Sequence, residues 1–161
     1  MALHAPRPAY DYRINQLMRF ETKIPDLLIR DLPVQEFEGG ELFPLLRFDD
    51  HLLRRFGALV KIDLEAGSSL QPVLRESADE IWIVLRGAIE GFWLDKRPNS
   101  PSAGIRETHR LSSQTLSFLP FGVAFACRAD KEDCELLRVM THAIDPEHER
   151  AALTWEELLE D

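Results

Sequence analysis

The chain has 161 residues, 45% of them apolar and 29% charged, and a formal net charge of −9. That length suits one domain with a sizeable core, and the apolar content excludes a disordered chain. The acidic balance argues against nucleic acid or an anionic membrane as partner, because phosphate recognition needs a basic face.

Residues 1–22 mix Pro6, Pro8, tyrosines and charges without a clear period, and are read as an N-terminal arm with one short helical stretch over 14–20. The first residues carry no apolar segment of the secretory kind, and no apolar run nears the ~20 residues of a membrane span. A cytoplasmic location is therefore expected. From residue 27 the pattern becomes short strands cut by turns, at 27–30, 34–37, 58–64, 80–85 and 88–94. Residues 96–104 hold two prolines, two serines and a glycine and read as a loop. Further strands follow at 105–111, 115–119, 123–128 and 135–141. Many closely spaced short strands predict a sandwich or barrel rather than βαβ units. The tail changes period. Asp145-Pro146 predicts a helical turn, and Thr154-Trp155-Glu156-Glu157 has the form of a capping box. The expected division is an arm at 1–22, a barrel at 23–145 and a helical tail packed on the barrel at 146–161.

The segment Glu80-Ile81-Trp82-Ile83-Val84-Leu85 is apolar on both faces apart from Glu80, the pattern of a strand buried on two sides. One face fills a barrel. The other, with Ile81, Ile83 and Leu85, needs cover, either from a second copy in a homodimer or from the N-terminal arm. Cys127 and Cys134 flank a polar segment and are expected as reduced thiols facing each other across a hairpin.

Two short patterns carry a resemblance. Gly67, Val73, Arg75, Glu80 and Gly87 stand at the spacing of the first cupin motif, with both histidines replaced; Pro120-Phe121-Gly122-Val123-Ala124-Phe125 follows the second, with Phe125 in the place of its histidine. The chain thus resembles an all-β, cupin-type (double-stranded β-helix or jelly-roll) barrel with an N-terminal arm and a short C-terminal helix. Val84-Leu85-Arg86-Gly87, Asp95-Lys96-Arg97-Pro98-Asn99-Ser100-Pro101, Leu111-Ser112, Leu119-Pro120-Phe121-Gly122 and the close Pro146-Glu147-His148-Glu149-Arg150 with Trp155 are similar to the dTDP-4-dehydrorhamnose 3,5-epimerase family. The resemblance covers about residues 24–159. It implies a nucleotide-linked keto sugar bound in the barrel, a histidine base held by an aspartate, a lysine stabilising the enolate and a tyrosine acid, without metal or other cofactor. Carried over by position, the base falls at Val73 and the lysine at Glu80. Neither residue suits its role.

Strand parity places Arg75, Glu80, Trp82 and Val84 inside the barrel, the resemblance to the second motif implies Phe125 there, and Glu90 or Phe92, Phe118, and Leu136 with Arg138 are further candidates. Arg75, Glu80, Trp82, Phe92, Phe125 and Arg138 form the expected ligand-binding set. An aromatic lining with a few charges suits a sugar or sugar nucleotide; equally, the aromatics close a core and Arg75 pairs with Glu80. Candidate catalytic groups are Glu80, His51 (beside Asp49 and Asp50) and His109. No metal site is expected, since histidines and cysteines are not gathered. Three readings follow: an epimerase-related binding protein lacking the standard base and lysine, an active isomerase or lyase using Glu80 and a non-standard histidine, and a structural or regulatory dimer with a filled barrel.

Overall fold

The computed structural model describes residues 19–142 and 153–160. Eleven strands carry the fold: β1 (Leu28–Asp31), β2 (Gln35–Phe37), β3 (Gly40–Leu42), β4 (Ala58–Leu64), β5 (Ser69–Val73), β6 (Glu80–Arg86), β7 (Ile89–Asp95), β8 (Arg106–Leu111), β9 (Thr115–Leu119), β10 (Val123–Ala129) and β11 (Cys134–Met140). One helix, α1 (Trp155–Leu159), follows among the described residues. A five-stranded sheet runs β1-β9-β6-β11-β4 and a four-stranded sheet β5-β10-β7-β8. All recorded pairings are antiparallel. The two sheets face each other as a cupin jelly roll, as the sequence predicts.

Alternation builds the core. Trp82 and Val84 from one sheet meet Trp93, Val123, Phe125 and Cys127 from the other, and Ile24, Leu27 and Ile29 close one side. Ile24, 0% exposed, and the half-buried Phe20 join this packing. The turn after β6 needs Gly87. Its φ is 81°, and a Cβ there would lie 2.7 Å from both Asp133 O and Cys134 Sγ. That is too close for any side chain.

The outward faces are covered differently. Ile81 and Ile83 pack with Leu32, Leu116 and Val139 beneath Phe43, Leu45, Leu46, Leu52 and Leu53 of the same chain. The cover thus comes from the connection between β3 and β4, a solution the sequence reading did not contain. That segment lacks regular periodicity, so nothing in it signals a packing role. On the other sheet, Phe92, Leu94, Ala124 and Ala126 lie beneath Leu153, Trp155 and Leu158. Helix α1 begins as expected: the Thr154 side chain accepts from the Glu157 amide at 3.2 Å. The predicted helical stretch at 14–20 and the turn at Asp145-Pro146 lie wholly or mostly outside the described residues.

Cys127 and Cys134 are both buried and reduced. They sit on strands of opposite sheets, so the segment between them is an arch across the barrel and not a hairpin. Burial pushes the Cys127 thiol up to about 12.

Candidate functional site

Strand β6 begins with Glu80, and its pleat sends Glu80 and Trp82 inward together. Register aligns Trp82 with Arg138 on β11 and with Ser117 on β9. Arg75 arrives from the segment after β5. The result is an ionic cluster at one end of the barrel. Glu80 Oε1 accepts Arg138 Nη2 at 2.6 Å and meets Arg75 Nε, while Glu80 Oε2 accepts the Trp82 indole N–H at 2.9 Å. Glu80 is 2% exposed, and the Arg138 guanidinium stands 5.4 Å from the Trp82 ring centroid. Two guanidiniums thus meet one buried carboxylate beside the Trp82 ring. Residues Val60, Ile62, Leu70 and Val73 around this end are only half buried.

From Trp82 an aromatic row crosses the interior. Ring centroids are 5.0 Å apart for Trp82–Phe125, 5.2 Å for Phe125–Trp93, 5.6 Å for Trp93–His109 and 5.9 Å for His109–Phe20. Trp82, Phe125 and Trp93 are each at most 5% exposed, so the middle of the barrel is packed with rings. Beyond the row, His109 Nε2 lies 3.1 Å from Glu107 Oε1. Glu107 is fixed by the amides of Lys23 at 2.6 Å and Ile24 at 2.7 Å, so its first task is to hold the incoming chain against β8.

The structure brings Arg75, Glu80, Trp82, Phe125 and Arg138 together and leaves Phe92, Phe118 and His51 elsewhere. Phe92 points outward and packs edge-on against Trp155 at 5.5 Å. The inward positions of β7 are Ile89 and Trp93. This parity was unreadable because β7 is buried on both faces, α1 covering the outer one. Phe118 likewise lies outward, in the cluster under the β3–β4 connection. His51 ends the short helical turn Phe48–Asp50, exposed and left-handed at φ 55°, outside the barrel. Among the described residues no group of three or more His, Cys, Asp or Glu side chains is arranged to hold a metal ion.

A second feature was missed: the chemistry of the Asp95–Pro101 loop. Asp95, fully buried, accepts from the Arg97 amide at 3.0 Å, Arg97 Nε and Nη2 at 2.9 Å, and the hydroxyls of Ser100 and Ser102 at 2.6 Å. Burial opposes its ionisation. The bonds from Arg97, Ser100 and Ser102 outweigh that and hold its carboxyl well below the usual carboxylate range. Arg97 also grips Asp26 with two nitrogens, at 2.5 and 2.8 Å. A Cβ at Gly122, where φ is 78°, would overlap Arg97 Cγ, so the loop and the β9–β10 turn interlock. The Asp, Arg and Ser of this motif therefore build the loop. Between it and residues 74–76 and 121–122 lies a cleft of about 580 Å³.

This architecture is that of a cupin jelly roll. More narrowly, its fold is that of the dTDP-4-dehydrorhamnose 3,5-epimerases. It is similar to that enzyme from Elizabethkingia anophelis, with a TM-score of 0.77 and 17% identity over 90% of this chain and 85% of the other. It is equally similar to the Bacillus anthracis enzyme, solved with TDP and PPi bound, with a TM-score of 0.77 and 17% identity over 89% of each chain. A 3'-monoepimerase from Streptomyces bikiniensis in complex with dTDP-quinovose matches at a TM-score of 0.71 and 15% identity, over 79% of this chain and 69% of the other. No protein-family model and no curated protein matches the sequence. At these identities the likeness is one of fold.

Proposed function

We propose that the chain binds an anionic carbohydrate derivative, a sugar nucleotide or sugar phosphate, at the barrel end where Arg75, Glu80 and Arg138 converge, and does not carry out 3,5-epimerisation. The observation that carries this reading is the convergence of two arginines and Glu80 on the Trp82 ring at one end of the barrel. Guanidinium groups are the side chains best suited to bind phosphate oxygens, and two of them gather here. Trp82 and Arg138 offer an apolar face and a charge to such a ligand. Solved proteins of the same fold hold TDP with PPi, or dTDP-quinovose.

The loss of epimerase chemistry is inferred from Val73 and Glu80 at the positions where the resemblance puts a histidine and a lysine. Val73 has no titratable atom. Glu80 already accepts from Arg138 and the Trp82 indole and is ion-paired with Arg75, which leaves little lone-pair capacity for a substrate proton. An isomerase using Glu80 with His109 is disfavoured because Trp82, Phe125 and Trp93 lie between them. His51 lies outside the barrel.

The reading includes a homodimer in the cytoplasm. Phe48, Phe56 and Leu59 are 93%, 68% and 56% exposed, and Leu59 aligns with Val139 on the covered outer face, which suits a second copy there. Light scattering of purified protein at dimer mass supports this part; a monomer at micromolar concentration refutes it.

The test of binding is titration calorimetry with dTDP, dTDP-glucose, pyrophosphate and neutral glucose. The anionic ligands bind and glucose alone does not, and Arg138→Ala weakens binding by at least tenfold. Equal affinity of Arg138→Ala and wild type for dTDP, or no heat with any anion, rejects the reading.

A further inference from the structure

The cleft beside the Asp95–Pro101 loop lies outside the barrel and has a different character. Its volume of about 580 Å³ falls within the roughly 300–1,000 Å³ of small-molecule sites. Pro25, Pro98 and Pro101 are exposed around it, and Phe121 presents half its surface, 49%. Flat ring faces gathered about one hollow suit a planar apolar group, unlike single apolar side chains scattered on a surface.

Its charges are mostly paired. Arg97 serves both Asp26 and the buried Asp95, so these three groups together carry one negative charge. Glu76 and Lys96 also line the cleft, and among the described residues neither has an ion-pair partner. The lining therefore offers one available carboxylate and one available ammonium beside a paired cluster of net negative charge, so a polyanion gains nothing here. A ligand with a ring, one carboxylate and one ammonium meets every feature: Lys96 faces its carboxylate, Glu76 its ammonium, and Phe121 with the prolines its ring.

The walls are also fixed in advance. Asp95 collects bonds from Arg97, Ser100 and Ser102 at 2.6–3.0 Å, and Gly122 lets Arg97 lie flat against the β9–β10 turn. A preformed cleft spares a ligand the cost of ordering loops.

We propose that this cleft is a second binding site, specific for a free α-amino acid with an aromatic side chain. The site is independent of the barrel-end reading and stands or falls separately.

The experiment is amide chemical-shift mapping of the full chain during titration with L-phenylalanine, then with phenylalaninamide and 3-phenylpropionate, which lack the carboxylate and the ammonium. L-Phenylalanine is expected to saturate shifts at residues 25–26, 96–101 and 121–122, and each analogue to bind about tenfold more weakly. Phe121→Ala and Lys96→Ala each weaken L-phenylalanine at least tenfold, while Arg138→Ala leaves its affinity within twofold. Three outcomes overturn the proposal: no saturable shifts at these residues, equal affinity for all three compounds, or affinity unaffected by Phe121→Ala. Loss of binding in Arg138→Ala alone would move the ligand to the barrel end and equally overturn it.

Discussion

Replacing Glu80 by glutamine removes one charge and keeps the shape, so it isolates what the carboxylate does. In the native cluster Oε1 meets Arg138 Nη2 at 2.6 Å and Arg75 Nε, and Oε2 accepts from Trp82 at 2.9 Å, all with Glu80 2% exposed. The amide takes away the carboxylate charge that both guanidiniums meet. Stranding a buried charge in this way costs about 3–5 kcal/mol. For a domain of this size about 1 kcal/mol moves Tm by ~2–4 °C, so Glu80→Gln lowers Tm by roughly 6–20 °C. The companion variant Arg75→Met/Glu80→Leu/Arg138→Met removes the whole cluster and is expected to cost less than Glu80→Gln, because no charge is left unpaired. Urea unfolding followed by tryptophan fluorescence measures both, with pyrophosphate added in a parallel series. Pyrophosphate stabilises Glu80→Gln more than wild type, since the anion replaces the missing carboxylate. A Glu80→Gln midpoint equal to wild type, or a triple variant weaker than the single one, refutes this account of the barrel end.

Gly122→Ala forces a Cβ onto Arg97 at φ 78° and is expected to lose about 1–3 kcal/mol by urea unfolding; a neutral result would mean the loop and turn do not interlock. Asp95 has its folded pKa depressed, so its contribution is present above the unfolded carboxylate value of about 3.9 and is lost as pH falls from there through the folded pKa. Asp95→Asn should therefore lower wild-type stability at pH 7 and flatten its fall below about pH 4, read from urea midpoints across pH. Cys127, its thiol pushed up to about 12 by burial, should react with a thiol reagent at pH 8 only as fast as the chain unfolds, and rapid native-state labelling at this residue would contradict its placement.

The architecture was legible because its signals are local. Glycines and prolines mark the turns, and Glu80-Ile81-Trp82-Ile83 alternates charge and ring against branched aliphatics, so the inward face of β6 can be read from sequence. Arg75 and Arg138 follow once β6 is placed. Phe92 was misread because Phe92, Trp93 and Leu94 are all apolar, and only the helix 60 residues later decides which face meets the core. The same long-range dependence hid the cover over Ile81 and Ile83, supplied by a connection with no period of its own. The Asp95–Pro101 motif was visible as a pattern, but its purpose was not: only the folded loop shows Arg97 reaching Asp26, far along the chain.

Charge bookkeeping at Glu80 joins the resemblance to the geometry. A glutamate where the resemblance puts a lysine looks like a reversal of sign. Yet Arg75, Glu80 and Arg138 together carry one positive charge, the same as a lone lysine. In formal charge, these three residues together stand in for the lysine. Proton handling is not retained, because a lysine can give or take a proton near neutrality when its pKa is shifted, whereas arginine stays charged. Formal charge and acid–base capacity separate at this one cluster. Restoring the lysine alone, as Glu80→Lys, would place three cations together and should unfold the barrel end. A lysine there is compatible only with neutral replacements at Arg75 and Arg138, and a Glu80→Lys single variant as stable as wild type would show that the three charges do not act as a unit.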